Sequence, residues 1–229
     1  MPKLKVKKKD THIDMTPMVD LAFLLITFFM LTIQFKPPEL VTVATPSSVS
    51  TVKTTQADQI IITIDNKGAV FVGTRGQATR DGMLDRVEEE LGQTLSEEQR
   101  LNFKLIAEIG VNLKQLPQFL ELTTNEQKEL YKSPDFQGIN ADTTGLNGSE
   151  RTDFYKYVRF AREAYAQNTG EAIRVMLKAD NDAPVRVVKN VLTNLAQQRA
   201  NRVNFITNQE GYPDAWVGYE APQQVRTSN

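Results

Sequence analysis

Apolar and polar positions divide the chain into three unlike stretches. Residues 21–35 (LAFLLITFFMLTIQF) carry no formal charge, and the run predicts a helix over 16–35. At about 1.5 Å per residue it would measure about 30 Å, the thickness of a bilayer's hydrocarbon core. Pro17 suits the first turn, where a missing N–H costs little, and Lys36-Pro37-Pro38 ends the helix. Residues 36–58, rich in Pro, Ser and Thr without core periodicity, read as an extended linker.

Beyond them the pattern is that of a folded domain. Strands at 60–64 and 69–72, joined by Asp65-Asn66-Lys67-Gly68, predict a β-hairpin with Gly68 at positive φ. Met83, Leu84, Val87 and Leu91 follow at helical spacing. Near the C-terminus a strand over 172–177 ends in Lys178-Ala179-Asp180. Pro184 then opens a helix that buries Val187, Val188, Val191, Leu192 and Leu195, and a strand over 203–207 closes the unit. Its crossover is right-handed if the two strands are parallel neighbours.

Residues of about 93–168 read as a helical insertion. Within it 101–106 suits a helix or a strand, Pro117 interrupts a helical run over 111–122, and 133–150 looks like a loop. Phe154, Val158, Ala161 and Tyr165 share one helix face. The expected fold class is α+β: a single N-terminal transmembrane helix followed by a small α/β domain of hairpin, helices and strand–helix–strand. The expected parts are a leader 1–15, the helix 16–35, the linker 36–58, a domain 59–209 and a tail 210–229.

Charge gives this plan an orientation. The 229 residues hold 27 Lys+Arg against 28 Asp+Glu, a near balance that hides strong asymmetry. Lys3, Lys5, Lys7, Lys8 and Lys9 make residues 1–19 net +3, whereas 36–229 are net −3. The positive-inside rule then places the N-terminus in the cytoplasm and the bulk of the chain outside. A cleaved leader competes with this reading, since Thr42-Val43-Ala44 loosely resembles a cleavage site. That site lies well past Phe35, however, and Asp20 would fall inside the apolar core of such a leader. A buried core helix also competes, because the charge-free stretch is short. The flanking charge asymmetry argues against it.

Asp20 carries the chemistry. An ionised carboxylate in a lipid-facing helix costs about 2.5–3.5 kcal/mol on insertion scales, so such an acid faces a partner, a cavity or a water path. The bland reading is a helix N-terminal acid at headgroup level, stabilised by the dipole. Helix geometry favours the first: at 100° per residue Thr16, Thr27 and Gln34 fall within roughly 40° of Asp20. A polar stripe at this spacing argues for a face turned to other helices.

The segment Ile13-Asp14-Met15-Thr16-Pro17-Met18-Val19-Asp20, followed by LAFLLITFFMLT, resembles the ExbD/TolR family of proton-driven energy transducers. The family motif runs roughly I-N-x-T-P, two hydrophobic residues and D, and then an apolar run ending in F-M; Asp14 stands where Asn is usual. The resemblance implies that Asp20 is the proton-accepting carboxylate. It implies a pentameric ExbB/TolQ-type partner around two such spans, the second being another copy or a related chain. It also implies a periplasmic domain that passes motion to a TonB-type or Tol-type receiver. Family members often carry V-x-L-P-x-A after the span, a segment that pairs with a neighbouring strand. Here Val43-Ala44-Thr45-Pro46-Ser47-Ser48 occupies that place, and Asp180 matches a family acid whose plain role is capping a loop.

No cofactor and no metal are expected, and enzyme chemistry is not. There is no Cys and one His, His12, which leaves little for a zinc site, a thiol nucleophile or a triad. Asn140, Asp142, Thr144 and Gly145 begin like a calcium loop, but Arg151 stands where a bidentate Glu is needed. Tyr155, Lys156, Tyr157, Arg159, Phe160 and Arg162 interleave bases and aromatics as nucleic-acid binders do; in an acidic domain this reads as an amphipathic helix. The expected role is an inner-membrane, TonB-linked transducer; the alternatives are a Tol-linked one and a membrane-anchored interaction protein with no energy role.

Overall fold

The structure, a computed structural model, describes residues 15–33, 41–48, 58–142, 151–200 and 202–210. It divides into two units, 1–36 and 37–229.

The described part of the first unit is one helix, α1 (Thr16–Thr32), with proline in its first turn as expected. It stops before the predicted end, since Ile33 is extended at φ −66° and ψ 112°. Gln34 and Phe35 lie outside the described residues. With 17 residues α1 spans about 26 Å. Among the described residues no helix is long and apolar enough to cross a membrane.

The second unit is α+β. Its four-stranded sheet has the order β3-β2-β4-β5, with β2 (Gln59–Ile64), β3 (Val70–Arg75), β4 (Arg174–Ala179) and β5 (Val203–Phe205). The predicted hairpin is present: β2 and β3 pair antiparallel, from Gln59 opposite Arg75 to Ile64 opposite Val70. Asp65 closes its turn, accepting the backbone N–H of Lys67 at 2.9 Å and of Ala69 at 2.7 Å. Gly68 has φ 88°, the left-handed region where a Cβ is disfavoured. β4 pairs parallel with both β2 and β5. The expected strand over 172–177 therefore sits two residues later, because Lys178 and Ala179 continue the ladder to Thr63 and Ile64. The last strand is shorter than 203–207, and a separate β6 (Asn208–Gln209) follows it.

Ile60, Ile62 and Ile64 point to one face by the period of two and are fully buried. Burying each contributes roughly 1.5–3 kcal/mol. Val70, Val72, Val175 and Leu177 extend the same buried face. Against the core pack α2 (Gln77–Leu91), α6 (Asp153–Thr169) and α7 (Val185–Gln197), which carry the predicted apolar stripes. Tyr165, Leu91, Val187, Val188 and Leu192 are only partly buried at its margin.

The insertion is helical, as expected. Residues 101–106, open to two readings, belong to α3 (Glu97–Leu105). A capping box decides it: Ser96 Oγ accepts from Gln99 N while Gln99 accepts from Ser96 N. Pro117 does not break a long helix. A 3-10 turn (Leu113–Gln115) leads into α4 (Leu116–Glu121), where Pro117 takes a first-turn position that needs no donor. α5 (Thr124–Lys132) starts on a second capping box, from Thr123 and Glu126. Residues 143–150 of the expected loop lie outside the described residues.

Candidate functional site

α1 exposes its apolar side chains all round, from 54% at Phe29 to 87% at Leu31. So much uncovered Leu, Phe, Ile and Met is unstable in water and fits a helix whose surface something else covers. Within that shell the described polar groups are few. Thr16, Asp20 and Thr27 occur at the spacing that aligns them on one side, and Asp20 is the single ionisable residue of α1. The Thr27 hydroxyl is turned back on its own helix, donating to the carbonyls of Phe23 at 2.9 Å and Leu24 at 3.0 Å. Its donor is thereby occupied, and only its lone pairs remain for a neighbouring group. Thr32 makes the same kind of contact with Phe28 at 2.9 Å. Gln34 and the lysines at 3, 5, 7, 8 and 9 lie outside the described residues.

A second arrangement, within the domain, was legible only in part. Residues 41–48, read as linker, are strapped to the domain. β1 (Ser47–Ser48) pairs parallel with β6 of the same chain. Upstream, Ala44 N–H donates to Asp180 Oδ2 at 2.9 Å, and Asn181 N–H donates to the Ala44 carbonyl at 2.9 Å. Asn208 Nδ2 reaches the Thr45 carbonyl at 3.1 Å. Asp180 also does what a loop acid was expected to do, accepting from Asp182 N at 3.0 Å. Its other oxygen holds a segment 136 residues away, which no local pattern announces.

The interleaved bases and aromatics on α6 form an amphipathic helix. Tyr157 and Phe160 are buried in the core. Lys156 pairs with Glu90 at 2.7 Å, Arg159 with Glu163 at 3.5 Å, and Arg162 donates to the Gln198 carbonyl at 2.5 Å. Cations spent this way do not form a stripe for phosphates. In the calcium-like segment Asp142 instead faces Arg186 at 3.1 Å, while Thr144 and Gly145 lie outside the described residues.

The described residues thus comprise an apolar helix with one acid and, as a separate unit, a small α+β domain. The chain belongs to the ExbD/TolR family: the family described as biopolymer transport protein ExbD/TolR matches residues 6–210, from the basic leader to the end of β6. No curated protein and no solved structure matches the chain. Membership brings the general energy-transducing role of a family that is generally anchored in the inner membrane, carries a periplasmic domain, and works with ExbB/TolQ and TonB/TolA partners.

Proposed function

We propose that this chain is the proton-handling subunit of an inner-membrane motor complex that couples the proton motive force to energised transport at the outer membrane, in a TonB-linked, ExbD-like system. The observation that carries the reading is Asp20, the one ionisable side chain of a helix otherwise built from apolar residues and threonines. α1 and the residues after it enter the bilayer once, with the lysine leader in the cytoplasm and the α+β domain in the periplasm. Asp20 takes up and releases a proton; Thr16, Thr27 and Gln34 line the side that faces the neighbouring helices. The partner is a pentameric ExbB/TolQ-type ring, with a second copy of the chain or a related one beside it, and a TonB-type protein receives the motion. The chain works without a cofactor and is not an enzyme.

The energies are of matching size. One proton crossing 100 mV releases about 2.3 kcal/mol, and a carboxylate at the centre of a span costs about 2.5–3.5 kcal/mol. Passage of a single proton therefore offsets most of the cost of moving Asp20 between a polar partner and hydrocarbon.

The test is Asp20→Asn, which keeps shape and hydrogen bonding and removes titration. The variant should assemble with the ring while energy-dependent outer-membrane uptake collapses. Normal uptake in Asp20→Asn cells would overturn the reading. Exchanging α1 for an unrelated span separates it from a plain anchor, whose function that exchange would leave intact.

A further inference from the structure

The insertion builds a groove that the transducing role leaves unused. It lies between the β3 edge, the loop after α5 and the start of α7, has a volume of about 980 Å³, and does not include Asp180 in its lining. This is the upper end of the roughly 300–1,000 Å³ of small-molecule sites, so it has room for several linked rings.

Its lining is unusual in chemistry. Six carboxamides face it: Asn112, Gln115, Gln118, Gln137, Asn140 and Asn190. Each offers an acceptor and two donors without charge, the complement of closely spaced hydroxyls. Apolar surface comes from Phe119 and Phe136; the latter ring is half-buried and stacks on Phe71 at 5.8 Å. An aromatic ring in such a wall receives the C–H face of a sugar. Charge is sparse: Arg186 is paired with Asp142, which also accepts from Asn190 at 3.3 Å, and Asp135 is the one further charged residue of the described lining. A phosphate would find no cluster of cations among the described lining residues.

A peptide strand fits less well. The outward carbonyls of β3 are taken: Val70 accepts from Ile139 N at 3.0 Å, Val72 from Ile109 N at 2.8 Å, and Thr74 from Arg80 at 2.6 Å. The sheet edge next to the groove thus has no free ladder for strand addition. We infer that the groove is a binding site for a neutral oligosaccharide, read by carboxamides and stacked on phenylalanine.

The experiment titrates maltotriose, cellotriose and triacetylchitotriose into the full chain by calorimetry, in a zwitterionic detergent without a sugar headgroup. At least one trisaccharide should bind saturably at one site per chain, and Gln118→Ala should weaken it tenfold or more. Gln118 is exposed, so this variant keeps the fold even if Asn112→Ala does not. Asp20→Asn should bind as the parent chain does, so failure of the transducing role leaves this test standing. The inference is overturned if none of the three binds saturably, if Gln118→Ala and Phe136→Ala bind as tightly as the parent, or if the groove takes a short Asn/Gln peptide in their place.

Discussion

Ala44 and Asp180, 136 residues apart in sequence, are joined by a 2.9 Å hydrogen bond from backbone N–H to carboxylate, and the Ala44 carbonyl is held in turn by Asn181. With the β1–β6 pairing, this contact makes residues 41–48 part of the domain rather than a free tether.

The strap should therefore loosen when the acid is removed. Hydrogen bonds to charged groups contribute about 1.5–3 kcal/mol. Asp180→Ala should lower domain stability by no more than that and speed hydrogen exchange at Ala44 and Asn208 while the β2–β4 amides stay protected. Unchanged exchange at Ala44 would show that the segment is held by other contacts.

Two buried phenols set the alkaline limit of the fold. Burial pushes both Tyr131 and Tyr157 well above the ordinary tyrosine value near 10, with Glu108 adding to the effect at Tyr131 and Asp153 at Tyr157. Below pH 10 folded and unfolded chains both keep these protons, and the contribution is fully present. Above it the unfolded chain releases them and the folded one does not, so stability falls as pH rises. Denaturant midpoints measured from pH 8 to 11 should decline beyond 10. Tyr131→Phe should flatten that decline, at a cost near neutrality of about 1–3 kcal/mol, because Gly110 N–H loses its 3.0 Å acceptor.

Gly82 sets how closely α2 approaches α6. A Cβ added there would stand 2.9 Å from the Cβ of Ala164, which is buried and has no flexible end to yield. Gly82→Leu should force the helices apart and cost about 1–3 kcal/mol, as overpacking does. Thermal unfolding of Gly82→Leu and of the pair Gly82→Leu with Ala164→Gly checks it, the second change restoring part of the loss.

Much of this fold was legible from period and punctuation. The alternating isoleucines of β2, the Asp65–Gly68 turn and the stripe of α7 are local signals, and the structure follows them. Where the pattern left a reading open or fell short, the deciding contact was a local cap or a distant partner. Ser96 and Gln99 make α3 a helix by capping, whereas β4 gains Lys178 and Ala179 because β2 pairs that far. Pro117 reads as a break because no local pattern marks the short 3-10 turn that delivers it to a first-turn position. In the candidate site Asp20 was readable because a lone acid in an apolar run is costly. The Ala44–Asp180 bond was not, since its partners share no periodicity and meet only through the sheet.

The central claim, that Asp20 itself loads and unloads the proton, is tested most directly by isotope-edited infrared difference spectroscopy on the chain assembled with its ring partner in proteoliposomes. Imposing a proton gradient should change the protonated-carboxyl band of aspartate labelled at its side-chain carbon, and that change should vanish in Asp20→Asn. A gradient-driven signal that persists in Asp20→Asn, or a band in the parent complex that does not respond to the gradient, would contradict it.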